Sequence, residues 1–193
     1  MKTFFLLLSL SFLLWGNLFS QPHKHSFIEE QYRKRFEQLE TTVYYNVDLE
    51  VSKYLSGRLR DICIGVSRDV EGIKVNFFLD SLMYFHKNGH LKFIQASDSI
   101  GTPTFTRMYD KKGNLTNECK FTYKGTIPYQ PTKKASNEAL ECYGKKYKNG
   151  ILISEGLTVG SKKEGLHITY DKNGNIKSSI FYSKGKAIKI ITQ

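Results

Sequence analysis

The chain has 193 residues, with 29 Lys and Arg against 18 Asp and Glu and a formal net charge of +11. That length is enough for one domain with a real core. Its three scattered cysteines lack zinc-site spacing, and no Gly-rich phosphate loop, Ser-His-Asp signature or metalloprotease motif is present, so no recognisable catalytic or metal site is expected and no cofactor is implied.

Residues 1–20 read as a secretory leader. Met1-Lys2 supplies a short positive start, Phe4 to Leu14 is almost wholly apolar, and Phe19-Ser20 precedes Gln21-Pro22-His23. The apolar run falls short of the roughly 20 residues that span a bilayer. Cleavage near Ser20 is expected, leaving one domain over 21–193 in the periplasm or outside the cell. The first cysteine is Cys63, so lipid attachment at the cleavage point is not expected.

Ser26 followed by Glu29 has the form of a capping box. Ile28, Tyr32, Phe36 and Leu39 then recur at helical spacing, which predicts a helix over 26–41 lying on the sheet. Residues 42–79 read as leading strands. Val43 to Val51 is rich in β-branched and aromatic residues. Ile62 to Val66 and Ile73 to Leu79 suit a pair joined through a loop near Arg68 to Gly72.

Repeated hairpins follow over about 80–125. Phe85 stands four before Gly89 and Leu91 two after it; Tyr109, Gly113 and Leu115 repeat the pattern 24 residues on. Residues 126–141 carry Pro128 and Pro131 with little periodicity and read as an irregular surface insertion. Hairpins resume near Cys142. The clearest one runs from Gly165 to Lys186. Leu166, Ile168 and Tyr170 alternate with His167 and Thr169, and the period continues through Ile176, Ser178, Ile180 and Tyr182. For Tyr170 and Ile176 to share a face they must sit opposite each other. That favours a three-residue loop, Lys172 to Gly174, with glycine at the left-handed position. A two-residue Asn173-Gly174 turn would put them on opposite faces. A second turn class has tyrosine three before glycine, at Tyr147 and Gly150 and at Tyr182 and Gly185.

These residues, Gly165, Tyr170, Asp171, Gly174, Ile176, Tyr182 and Gly185, resemble the variant MORN repeat of bacterial secreted and antitoxin-like proteins. The resemblance is good over about 145–190 and weaker over 80–125. It implies a mainly β fold, an elongated antiparallel meander of repeated hairpins. The tryptophan often found after the first glycine is Leu166 here, and Tyr-Asp-x-x-Gly hairpins also occur in YD-type shell repeats.

An odd cysteine count in an oxidising compartment suggests one bridge and one buried or free thiol. Cys119 and Cys142 flank the insertion and are the candidate bridge; closing their loop would stabilise the fold by about 3 kcal/mol. Cys63, between Ile62 and Ile64, looks like a core residue. His86 and His90 flank a turn, and His167 falls opposite the Leu166 and Ile168 pattern, towards solvent. Asp110 and Asp171 are expected to hold their turns through the following amides.

What is left for function is contact. The aromatics Phe85, Tyr109, Tyr123, Tyr170 and Tyr182 form a candidate binding face, if they do more than pack along the sheet. The lysine excess sits mostly at turns, where it blocks edge-to-edge pairing; as a basic stripe it would draw anionic envelope polymer or a membrane surface. Export argues against nucleic acid. The expected role is a non-catalytic module binding a protein or envelope polymer, with an immunity or antitoxin-type protein and an unrecognised envelope enzyme as alternatives.

Overall fold

The computed structural model describes residues 25–39, 44–70, 72–126, 129–130 and 133–191. Helix α1 (His25–Glu37) leads into β1 (Tyr45–Lys53), β2 (Leu59–Val70), β3 (Ile73–Phe85), β4 (Leu91–Ser97), β5 (Pro103–Tyr109) and β6 (Leu115–Tyr123). After the short helix α2 (Lys134–Ala139) come β7 (Leu140–Lys148), β8 (Ile151–Val159), β9 (Lys162–Tyr170), β10 (Ile176–Ser183) and β11 (Lys186–Ile191). The eleven strands form one open sheet in sequence order, β1 and β11 being its edges. The protein is therefore mainly β, an antiparallel meander with an N-terminal helix. The expected leader lies outside the described residues. None of the described helices is long and apolar enough to cross a membrane.

Turn chemistry builds the meander, and it does so in two families. In the first, residue i both donates its N–H to the carbonyl of i+4 and accepts from the N–H of a glycine at i+3. This pattern recurs at 54–58, 86–90, 98–102, 110–114 and 171–175. Each of these glycines has positive φ, from 78° at Gly57 to 94° at Gly89, a region that costs a side chain but not glycine. At 98, 110 and 171 the first residue is aspartate, and its Oδ1 accepts the backbone N–H of i+2 and of i+4. The second family has two central residues, both at positive φ: Asn149-Gly150, Gly160-Ser161 and Lys184-Gly185. That geometry matches the twist of the strands it joins. The three-residue loop at 172–174 keeps Tyr170 opposite Ile176, as parity requires.

Several sequence expectations need correction. The helix runs from His25 to Glu37 rather than over 26–41. Ser26 is inside it, and Glu29 turns to Arg33 at 2.8 Å and Lys53 at 3.0 Å instead of closing a capping box. The strands around Gly72 pair right up to Val70 and Ile73, so Arg68 is in the ladder opposite Val75 and not in a loop. The insertion is not wholly irregular, because Lys134–Ala139 is helical and β7 begins at Leu140. Gly165 makes no turn. It lies inside β9 at φ 66°, where the register against β8 jumps from Gly156/His167 to Leu157/Glu164. A bulge there needs a residue free of Cβ strain.

Partners directly opposite in an antiparallel ladder share a face. One row can be followed across all eleven strands: Val51, Ile62, Met83, Ile94, Arg107, Glu118, Lys145, Glu155, Ile168, Ser179 and Ile191. Its first four members are aliphatic or thioether side chains, and Ile62 and Met83 are wholly buried. Helix α1 covers this part, contributing Ile28 and Tyr32 to a core with Leu59, Ile64, Leu79, Phe85 and Leu91. The Tyr32 hydroxyl satisfies itself on the Ser81 carbonyl at 2.8 Å. Beyond β5, among the described residues, only the short helix α2 meets the sheet, at β7 and β8, and Gly156 is the only buried residue of strands β6–β11.

Candidate functional site

The site begins where the helix stops. On the face that carries α1, the strand row changes from apolar to charged, reading Arg107, Glu118, Lys145 and Glu155 from β5 to β8. The signs alternate, so Glu118 and Lys145 face an opposite charge on both neighbouring strands, whereas Arg107 and Glu155 face one on a single side and Ile94 or Ile168 on the other. Arg107 Nε lies 3.3 Å from Glu118 Oε2, and Lys145 Nζ lies 3.9 Å from Glu155 Oε2. Opposite charges across a ladder are worth about 0.2–1 kcal/mol each. Tyrosines complete the coordination of the carboxylates. Tyr147 donates to Glu118 Oε1 at 2.9 Å, and Tyr170 donates to Glu155 Oε1 at 2.5 Å.

These contacts set the protonation states. Burial, then the Glu118 carboxylate, pushes the Tyr147 phenol up to about 12. The hydrogen bond to Glu155, then burial, pushes Tyr170 up to about 12. Tyr143 is raised by burial and next by Glu155. All three phenols are therefore neutral donors at physiological pH.

A shallow depression of about 410 Å³ opens beside the row, between Phe105 on β5 and Tyr143 on β7. Lys120 stands directly opposite both of these aromatics and has no carboxylate partner among the described residues. The depression thus offers two aromatic walls, the Lys120 ammonium, and one lining carboxylate, Glu118, held by Arg107 and Tyr147. Such a surface suits binding.

The expected aromatic face is not one face. Phe85 is 2% exposed and lies under α1. Tyr109 and Tyr170 are on the helix-bearing face, but Tyr182 and Tyr123 are on the reverse. Tyr182 instead packs edge-on against His167, with centroids 5.0 Å apart. His167 is not turned out to solvent: its Nε2 meets the Leu157 carbonyl at 2.7 Å, and its ring lies over Gly156 so closely that a Cβ there would sit 2.3 Å from Nδ1. Leu166, expected in the core pattern, is 44% exposed. The turn glycines Gly89, Gly113, Gly150, Gly174 and Gly185 do build turns, and their tyrosines serve structure.

Cys119 and Cys142 are joined, with Cα atoms 5.7 Å apart. They are diagonal neighbours on β6 and β7 and pin the strands that bracket the insertion. Cys63 is buried, and burial followed by Glu50 and Asp61 pushes its thiol up to about 12. It stays protonated and is a poor nucleophile. His25 and His86 bind backbone: His25 Nε2 donates to the Gly89 carbonyl at 2.8 Å while its Nδ1 accepts from Leu59 N–H, and His86 Nε2 reaches the Tyr109 carbonyl at 2.9 Å. Among the described residues no group of three or more His, Cys, Asp or Glu could hold a metal ion.

Sequence reasoning overlooked the charged row, because Arg107, Glu118, Lys145 and Glu155 are spaced irregularly along the chain and only strand register aligns them. It also overlooked the loop at 98–102. There Asp98 and Gly101 carry the same signal as Asp110 and Gly113, but Ser97 stands where the other copies have an aromatic. Compared with known protein families and with curated proteins, the chain matches none of either.

Proposed function

We propose that the chain is an exported, non-catalytic repeat module of a bacterial envelope that binds a protein or an envelope polymer through the open, helix-bearing face of β5–β9. The observation that carries this reading is the end of helix cover at β5, where Phe105, Lys120 and Tyr143 border a depression beside the alternating charged row. The apolar Phe105 ring, the Tyr143 phenol and the adjacent Lys120 ammonium suit a partner that brings both apolar surface and hydrogen-bond acceptors. The leader-like residues 1–20 and the variant-MORN-like turns support export and a scaffold role. Cell fractionation with an antibody to the chain tests the location; a strictly cytoplasmic pool sinks it. Binding is tested by passing envelope fractions over immobilised wild-type protein and over a Lys120→Glu, Tyr143→Ala variant. The wild type is expected to retain a component that the variant releases, and equal retention by both refutes this face as the site.

A further inference from the structure

The last strand of the sheet is unlike the other ten. All six residues of β11 are exposed, including Ile188 at 66%, Ile190 at 64% and Ile191 at 46%. One side of β11 pairs with β10; its other side has no strand partner among the described residues, which makes its backbone donors and acceptors an edge row. A free edge this apolar is a template for another strand.

Charge says which strand fits. Between Lys162 and Lys189 the chain carries seven lysines and two acids, Glu164 and Asp171. Both acids are already engaged within the fold. Glu164 Oε2 accepts the Lys184 N–H at 2.8 Å, and Asp171 holds the amides of Asn173 and Asn175. None of the seven lysines makes an ion pair among the described residues, as Lys53, Lys124 and Lys145 do and Lys120 does not. A second copy presenting its own β11 would bring two more lysines, Lys186 and Lys189, to the edge with no carboxylate of that strand to meet them.

We infer that β11 is a docking edge for an extended, acidic segment of a partner protein, which adds as a twelfth strand. Its backbone completes the free ladder, its apolar residues cover Ile188 and Ile190, and its carboxylates neutralise Lys186 and Lys189. This surface is separate from the depression between Phe105 and Tyr143, so each can be lost without the other.

The probe is a fluorescein-labelled peptide alternating valine and glutamate, titrated against the purified protein by anisotropy. Saturable binding is expected, with none for the matched valine–lysine peptide. Lys186→Glu combined with Lys189→Glu should weaken it about tenfold, the equivalent of two lost exposed charge pairs with repulsion in their place. A version of the acidic peptide N-methylated at alternate residues keeps its charge but loses ladder donors, and its binding should vanish. Slowed amide exchange in Lys186–Ile191 on adding the unmodified peptide should accompany binding, and the Tyr143→Ala variant should bind as wild type. Equal binding of the N-methylated peptide would mean simple ionic attraction and overturn the proposal. So would absence of binding, or self-association of the chain that consumes the β11 edge and excludes the peptide, such as pairing of β11 with the acidic β1 edge of a second copy.

Discussion

The two halves of this sheet are built from the same hairpins and held by different forces. Under α1, β1–β4 bury Ile62, Met83, Phe85 and Ile94 in a continuous apolar core. Beyond β5 the described residues add only the short helix α2 beside β7 and β8, and the sheet's contacts are local: Arg107 with Glu118, Tyr147 with Glu118, Tyr170 with Glu155, Thr169 with Ser178, and His167 over Gly156. The hydrophobic effect scales with apolar area removed from water, so it can dominate only in the first half. In the second, many cross-strand pairs of small individual worth and one covalent link must suffice. The lesson is that a repeated hairpin needs a covering element once, and can then be extended by register alone.

The largest test strikes the covered half. Ile28→Ala removes the side chain through which α1 enters the core and should cost about 2–5 kcal/mol in denaturant unfolding. The matching truncation in the open half, Leu166→Ala, should change stability by less than about 0.5 kcal/mol, because that side chain is already 44% exposed. Equal losses would erase the distinction between the halves.

Next comes the link that substitutes for a core. Replacing Cys119 and Cys142 together by serine should lower stability by about 3 kcal/mol, the chain entropy of the released loop. Amide exchange should accelerate in β6 and β7 well before it does in β2 and β3, since locally held segments open below the global free energy. Uniform acceleration would show that the sheet unfolds as one unit.

A smaller effect is expected at the charged row. Tyr147→Phe deletes one donor to Glu118 and should cost about 0.5 kcal/mol, reduced from a buried bond by solvent screening. The phenol's folded value is raised to about 12 from the usual 10. Its contribution is therefore full below pH 10 and lost as pH rises towards 12. Ultraviolet titration should show late-ionising phenols in the wild type and one fewer in the variant.

The smallest change concerns single turns. The Asn175 amide, followed by the Asn173 amide, holds the Asp171 carboxyl below its ordinary value of 3.8, so the turn should be intact above that pH and loosen as pH falls below it. The amide shifts of Asn173 and Asn175 should titrate together with a midpoint under 3.8. Asp171→Ala should abolish that titration and leave the Asp110 loop untouched.

Much of this was readable beforehand because turns are local. Asp171, Asn173 and Gly174 carry their loop within five residues, and the parity of Tyr170 and Ile176 chose its length. The aromatics misled for the same reason. A tyrosine four residues before a glycine marks a turn on either face, and in a single-layer sheet alternation no longer tells inside from outside. So the sequence pattern alone groups Tyr109 and Tyr170 with Tyr123 and Tyr182 and points His167 to solvent.

The chain by itself determined where it reverses, since positive φ and aspartate–amide bonding are properties of neighbouring residues. Tertiary structure decided which strands α1 shelters, that Arg107, Glu118, Lys145 and Glu155 form one line, and that β11 remains an uncovered edge. Those facts depend on the summed register of ten strand pairings and on where a helix of 13 residues runs out, and neither is written in any single stretch of sequence.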